Sequence, residues 1–432
     1  MKHFFQITAI VITLFGNSAY ASDSMKQFQD NLEKITHEST ASSTVAIVRG
    51  GKVFKTSSKQ VNDDTQFYIG SASKHMTAYM MLASLHEKYP GTPLQELLAK
   101  KLNVLFPDSA LLKAIGKDWI SEVSLLDLLT HRSGLSDYLD SYGDGLTVPE
   151  ALNKPISAVE LLRSISFDVS KKHLYSNSNY LLVGKLIEET NVDTLDHVFD
   201  RLIKLPAGMT SSFCPVVKNY FALKSSTCCE HLAPNLNEKV FLDMSNAVGA
   251  GSVISTRDDL IKWGTYLFKS SPKVIRDAML ENYGTDSDGD IINLGLNTQV
   301  STHLGNFIGH QGDLDSFSSF FGYAPKSDTL VIILSNNKSD SNSLMESLIS
   351  WISEPEEVTS LNMHQEKLTW SWTKKLIEEN ESLKFAASYK EVHPEAEASG
   401  YGPFSLMLYD PDHQGLIGHN TSGFEINGFE IN

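Results

Sequence analysis

Three cysteines, Cys214, Cys228 and Cys229, are all that a chain of 432 residues carries, which excludes a small scaffold built on disulfides. Basic charge is also short: 36 Lys and Arg stand against 52 Asp and Glu, a formal net charge of −16. Binding to a phosphate backbone draws its affinity from clustered cations that release counterions. No basic run supplies them, so a nucleic-acid partner is excluded. Apolar runs of the ~20 residues needed to cross a bilayer are missing as well, and no stable membrane span is expected. What remains, 41% hydrophobic and 20% charged residues, is the composition of a globular protein able to bury a large core. Length alone allows about three domains or one large composite domain.

The N-terminus has a pattern of its own. Lys2 and His3 precede the apolar stretch Phe4 to Phe15, and Ala19-Tyr20-Ala21 follows with the small residues of a cleavage site. This reads as a secretory signal over residues 1–21, with cleavage after Ala21 and a periplasmic or secreted mature chain. The stretch is too short for a membrane anchor. In an oxidising compartment Cys214 can pair with Cys228 or Cys229 and leave one thiol over. A zinc site is the rival reading, but Cys-x2-Cys spacing is lacking and His231 is the one nearby histidine.

Met25, Phe28, Leu32 and Ile35 recur at helical spacing. Thr44 to Val48 and Val53-Phe54 then flank Gly50-Gly51, the pattern of a hairpin whose turn needs positive φ. From about Ser71 to Leu267 the period is mostly helical. Strands return as Leu294 to Val300, Asn306 to Ile308, Phe317 to Tyr323 and Thr329 to Leu334, and Ser343 to Ile352 reads as a closing amphipathic helix. The fold class is α/β, more closely α+β: an antiparallel sheet flanked by helices, shared by both ends of the domain and split by a helical insert. Pro355-Glu356-Glu357 marks a boundary, giving a main domain over residues 22–355 and a C-terminal extension over 356–432. The extension contains Trp370, Trp372, Tyr401, Phe404 and Tyr409, too many aromatics for a plain linker. It ends in two copies of Gly-Phe-Glu-Ile-Asn, from Gly423 and Gly428, too short and too few for a solenoid.

Three short elements can carry chemistry. Ser71-Ala72-Ser73-Lys74 sets a hydroxyl and an amine three residues apart on one helix face, and a lysine whose pKa is lowered by burial can take a serine proton. The same spacing at Ser270 and Ser335 lacks the apolar lead-in Phe67-Tyr68-Ile69-Gly70 and the following helix. Tyr175-Ser176-Asn177 opens a helical run and is the one Tyr-x-Asn in the chain. A phenol can shuttle a proton and an amide can both donate and accept, although a turn tyrosine with a helix-capping Asn is the plainer reading. His310-Gln311-Gly312 sits in an edge-like strand where glycine lets a substrate backbone approach. The triplet recurs at His413. Asp286-Ser287-Asp288-Gly289-Asp290 invites a calcium reading, but Ile291 and Asn297 stand where an EF-hand loop needs Gly and Glu, so it reads as a solvated turn. His131 reads as a loop packing residue, and Trp263 and Leu267 as core.

Taken together, these elements resemble the penicillin-recognising serine hydrolases: class C β-lactamases, D-Ala-D-Ala carboxypeptidases, penicillin-binding proteins and related esterases. Asp64 to Lys74 is similar to the nucleophile region of that superfamily, Leu128 to Leu135 to the loop after its first helices, and Gly249 to Leu260 to its Gly-Gly, Ser-Thr, Asp-Leu segment. All five segments stand in family order between about Met25 and Ile352. The resemblance implies a β-lactamase/transpeptidase-like fold and an acyl-enzyme at Ser71, with Lys74 and Tyr175 moving protons and no metal or organic cofactor. It further implies that Asn177, His310 and Gly312 bind substrate and that the backbone N–H groups of Ser71 and Asp313 form an oxyanion hole. Many relatives have Lys at the place of His310. A mostly neutral His favours a D-amino-acid peptidase or esterase over an efficient β-lactamase, with carboxylate-bearing substrates turned over better below about pH 6.5. The substrate classes are thus an acyl-D-amino acid, an ester or a β-lactam. A catalytically silent binding scaffold of the same fold is the alternative.

Overall fold

The computed structural model describes Asp30, Glu33, Thr36 and residues 42–58, 60–142, 157–214, 231–233, 247–299, 306–314 and 316–337, together with four strands near the C-terminus. The signal segment, Cys228, Cys229 and the helix expected over Ser343 to Ile352 lie outside the described residues, as does most of the helix expected from Met25. The chain divides into two compact units, one over Thr8–Ser353 and the other over Glu354–Asn432 with Met1–Ile7.

The first unit is built on a seven-stranded antiparallel sheet. Its strands are β1 (Ser43–Arg49), β2 (Lys52–Ser57), β5 (Ile291–Ile292), β6 (Asn297–Gln299), β7 (Phe307–Asp313), β8 (Ser318–Ala324) and β9 (Thr329–Ser335), in the order β2-β1-β9-β8-β7-β6-β5. A two-stranded pair, β3 (Phe67–Tyr68) and β4 (Ile254–Ser255), stands beside it. The N-terminal hairpin joins the C-terminal meander through β1 and β9, with Val45 opposite Ile333 and Ile47 opposite Val331. The two ends therefore share one sheet, as the sequence pattern implies. Strand β9 is buried at every residue, which its unbroken run Leu330-Val331-Ile332-Ile333-Leu334 demands. The strand expected from Leu294 is shorter than its apolar run, because Gly295 turns at φ 71° and only Asn297–Gln299 pairs.

Four helices position the side chains of the site: α1 (Ser73–Lys88), α2 (Leu125–Leu129), α3 (Asn177–Asn191) and α4 (Arg257–Thr265). Helix α1 is buried on every side from Ser73 to Leu85. A helix with apolar residues all round must be enclosed, and this enclosure takes Lys74 and His75 out of water with Met76, Met80 and Leu82. His75 stacks on Phe321 of β8 at 4.5 Å between ring centroids and lies 5.9 Å from Trp263 of α4, so the sheet and α4 clasp α1 through aromatic rings. Trp263 and Leu267 are fully buried, as their spacing implies.

The second unit shows a four-stranded antiparallel sheet of β10 (Lys384–Phe385), β11 (Leu406–Asp410), β12 (Gly415–Asn420) and β13 (Gly423–Glu425) in that order. Strand β13 lies in the first Gly-Phe-Glu-Ile-Asn copy. Among the described residues no helix is long and apolar enough to cross a membrane.

Phe321 is 1% exposed and its ring carries the contact between sheet and α1. Phe321→Ala should cost about 3–5 kcal/mol of unfolding free energy in a denaturant titration, and a loss under about 1 kcal/mol would show that this contact is not a principal tie.

Candidate active site

Gly70–Ala72 forms a single 3-10 turn that leads into α1. It leaves Ser71 partly accessible while Lys74, one turn on, is fully buried. The Lys74 side-chain nitrogen, Nζ, lies 3.0 Å from Ser71 Oγ, 2.8 Å from Asn177 Oδ1 and 2.7 Å from the Ala250 carbonyl. Tyr175 OH donates to Ser71 Oγ at 2.7 Å, and its ring lies 4.9 Å from Lys74 Nζ. Burial lowers the Lys74 pKa to about 7, with the Asp137 charge pulling the other way. Burial pushes the Tyr175 phenol upward, so it is a neutral O–H donor at pH 7.

This arrangement directs a lone pair. A neutral amine has two N–H bonds, and two fixed acceptors, Asn177 Oδ1 and the Ala250 carbonyl, take them. The lone pair that is left faces the Ser71 hydroxyl. The carbonyl of Ala250 is fixed because Gly249 turns at φ 77° directly against helix α3, where a Cβ would lie 2.5 Å from the Tyr180 carbonyl. Only glycine fits there.

Asn177 is held from behind. Asp137 Oδ2 accepts from its backbone N–H at 3.0 Å and from its Nδ2 at 2.8 Å, while Asp137 Oδ1 accepts from Leu139 N–H at 3.0 Å. Nothing in the sequence pattern singles out Asp137. It follows the Leu128 to Leu135 segment as one more polar residue. His131, read as a packing residue, does pack, and what it packs on is Tyr175: the rings stack at 4.4 Å and 29°. Its Nδ1 accepts from Ser176 N–H at 3.1 Å. His131 holds φ 55° to do so, a conformation rare for a residue with a Cβ.

Across the site, β6 pairs with β7 only as far as Gly309, so His310 to Asp313 continue beyond that pairing. His310 donates through Nδ1 to the Gln311 carbonyl. A ring with that bond carries its proton on Nδ1, and Nε2 is then an acceptor. Burial, and secondarily the Lys74 charge, lowers the His310 pKa to about 4. Gly312 has a different reason to be glycine than an open strand: a Cβ there would lie 1.8 Å from the Ile69 carbonyl, the carbonyl that also accepts from Ser319 Oγ at 2.7 Å. On the other side of the same contact, a Cβ on Gly70 would lie 3.0 Å from Asp313 N. The backbone of β7 is thereby pressed against the turn that bears Ser71.

Cys214 is buried, with its Sγ 3.2 Å from Ser252 Oγ, and burial pushes its pKa up to about 12; its two candidate partners, Cys228 and Cys229, lie outside the described residues. In the Asp286 to Asp290 segment the Asp286 carboxylate accepts from the N–H groups of Asp288 and Asp290 at 2.9 and 3.0 Å, which closes a turn.

A partly accessible serine beside a buried lysine, with a tyrosine on the serine oxygen, set between an antiparallel sheet and a helical layer, is the constellation that a serine hydrolase needs. Residues 28–349 match the family model described as Beta-lactamase, and the chain belongs to that family. Among curated proteins it is similar to an unguisins hydrolase of Aspergillus campestris, 23% identical over 65% of this chain and 54% of that one. It is also similar to the teichoic acid D-alanine hydrolase of Staphylococcus aureus, 26% identical over 64% of this chain and 68% of that one. The chain spans about half or less of the length of the unguisins hydrolases it matches. Among solved structures, the D-amino acid amidase of Ochrobactrum anthropi SV3 shares the fold with a TM-score of 0.59 at 17% identity, covering 77% of this chain and all of that one. A class C β-lactamase does so with a TM-score of 0.57 at 16% identity, over 76% and 97% of the two chains.

Gly312→Ala should destabilise the fold by about 1–3 kcal/mol or more, since the overlap is with backbone. It should also slow any reaction at Ser71. A melting temperature and rate equal to those of the unaltered protein would refute the close contact.

Proposed function

We propose that the protein hydrolyses an amino-acyl ester or amide through an acyl-enzyme on Ser71, with D-configured acyl groups the preferred class, and that it does so after export. The observation that carries the chemistry is the 3.0 Å approach of the buried Lys74 Nζ to Ser71 Oγ, with its two other partners both acceptors. Ser71 Oγ attacks the substrate carbonyl as its proton passes to Lys74 Nζ. The oxyanion forms beside the backbone N–H groups of Ser71 and Asp313, donors whose removal in such sites costs on the order of 10²-fold in rate. Collapse breaks the bond to the leaving group, which takes a proton from the Tyr175 hydroxyl, and Lys74 returns its proton to Tyr175. Water then attacks the acyl-enzyme, releases the acid and restores Ser71. The second hydrogen of Asn177 Nδ2 is the one offered to a substrate carbonyl.

His310 supports the substrate reading. Its Nε2 accepts, so it suits a donor on the substrate, such as an N–H, a hydroxyl or an ammonium group, and it opposes a carboxylate. That ranks amino-acyl esters and amides above carboxylate-ended peptides and β-lactams. The names of the similar proteins, a D-amino acid amidase and a teichoic acid D-alanine hydrolase, agree with that class. The secretory pattern of residues 1–21 supports export, and N-terminal sequencing of the mature protein should begin at Ser22.

A fluorophosphonate probe read by intact mass should label the unaltered protein but not Ser71→Ala, and no labelling of either would leave a binding scaffold. Among substrates, a D-alanyl ester should be cleaved faster than a D-Ala-D-Ala peptide or a cephalosporin. His310→Lys should improve the cephalosporin relative to the ester by about tenfold or more, equivalent to about 1.4 kcal/mol. An unchanged ratio would remove His310 from specificity.

The pH dependence expected from the sequence is revised. His310 becomes cationic only as pH falls through about 4, whereas Lys74 loses its base function as pH falls through about 7. No pH populates a cationic His310 beside a neutral Lys74. For every substrate kcat/KM should therefore rise through about pH 7, without an acid optimum for those bearing a carboxylate. Such an optimum below pH 6.5 would contradict the site.

A further inference from the structure

We propose that Asp137 is a positioning residue that fixes the Asn177 amide with its oxygen toward Lys74, and thereby aims the Lys74 lone pair at Ser71. This rests on Ser71 and Lys74 being nucleophile and base.

An asparagine side chain can present either its oxygen or its nitrogen to a neighbour at nearly the same cost. Which one faces Lys74 decides whether the amine works. If Oδ1 faces Nζ, as the 2.8 Å contact has it, it takes one amine hydrogen and the lone pair is left for Ser71. If Nδ2 faced Nζ, its N–H would itself occupy the lone pair, and Ser71 would face an N–H bond. A carboxylate can only accept, and Asp137 Oδ2 lies 2.8 Å from Asn177 Nδ2. The turned-over amide would put two acceptors face to face there. Asp137 is itself held, by the Leu139 and Asn177 backbone N–H groups, so it cannot swing aside without breaking the entry to α3. Donors thus point one way along the chain toward the carboxylate: Ser71 to Lys74, Lys74 to Asn177 and Asn177 to Asp137, with the backbone N–H groups closing on Asp137 from its other side.

Other groups surround the amine without imposing this polarity. Tyr175 and Tyr180 present ring faces at 4.9 and 5.7 Å. The Ala250 carbonyl accepts whatever the amide does, and His131 and His310, from the loop after α2 and from β7, are neutral at pH 7 with pKa values lowered chiefly by burial.

The test is a double-mutant cycle on the rate constant for labelling of Ser71 by a fluorophosphonate at pH 8, with Asp137→Asn and Asn177→Ala made singly and together. The rate constant is read from the fraction of sites that label, so partial loss of folded protein does not move it. Asp137→Asn should slow labelling by about 30-fold or more in the unaltered background and by less than about threefold on Asn177→Ala, because the amide it orients is gone. Asp137→Asn should also move the lower limb of the pH–rate profile to lower pH, since a charge that favours the ammonium form has been removed. Equal losses in the two backgrounds, or labelling of Asp137→Asn within threefold of the unaltered protein, would overturn the proposal. Asp137→Ser serves as a second variant, and failure of both to fold would make Asp137 a folding residue and end it. An unaltered protein that does not label would instead refute the reading of Ser71 as nucleophile.

Discussion

The site depends on one amine being taken out of water. Lys74 sits on the most enclosed of the described helices, and its three hydrogen bonds lead to three separate parts of the chain: the turn before α1, the start of α3 and the Gly249–Gly251 turn. Desolvation is the largest cause of its lowered pKa. An ammonium group in bulk water would hold its proton to about pH 10.4 and could not serve as a base at pH 7. The aromatic clasp of His75, Phe321 and Trp263, the glycine turn at Gly249 and the pressed strand at Gly312 all serve to keep that amine dry and aligned.

From the same constraint comes the division of labour between the two sides of the site. In the proposed reaction the helical side supplies proton transfer, with Tyr175 held by the His131 ring and Asn177 by Asp137. The sheet side supplies shape, with the backbone of β7 set against the Ser71 turn and His310 presenting an acceptor. A cation at His310 would raise the cost of charging Lys74 further, whereas a neutral ring leaves the amine to be tuned by burial and by Asp137. In the proposed reaction, specificity and base strength are linked through this one position.

Much of this is legible in the residues. The alternation of strands and helices implies one sheet shared by both ends, and the Ser71, Lys74, Tyr175 and Asn177 pattern names side chains that do meet within 3.0 Å. The parts that are not legible are those set through space. Leu294 to Leu296 is apolar enough for a strand, but Gly295 packs against the Lys74 carbonyl, where a Cβ would lie 2.6 Å away. The tautomer of His310 is fixed by its own neighbour's carbonyl. Asp137 looks like any loop aspartate until α3 is folded against it. Periodicity reports which face is buried, and it is silent about which acceptor a buried amine will find.

The most direct test of the central claim is the titration of Lys74 itself, followed by NMR of the folded protein with isotope-labelled lysine and assigned with Lys74→Arg. A midpoint near pH 7 for one lysine, absent from the variant, is what the enclosed amine requires. A midpoint near 10 for every lysine would show that Lys74 keeps its proton at neutral pH, and the proposed base would have to be sought elsewhere.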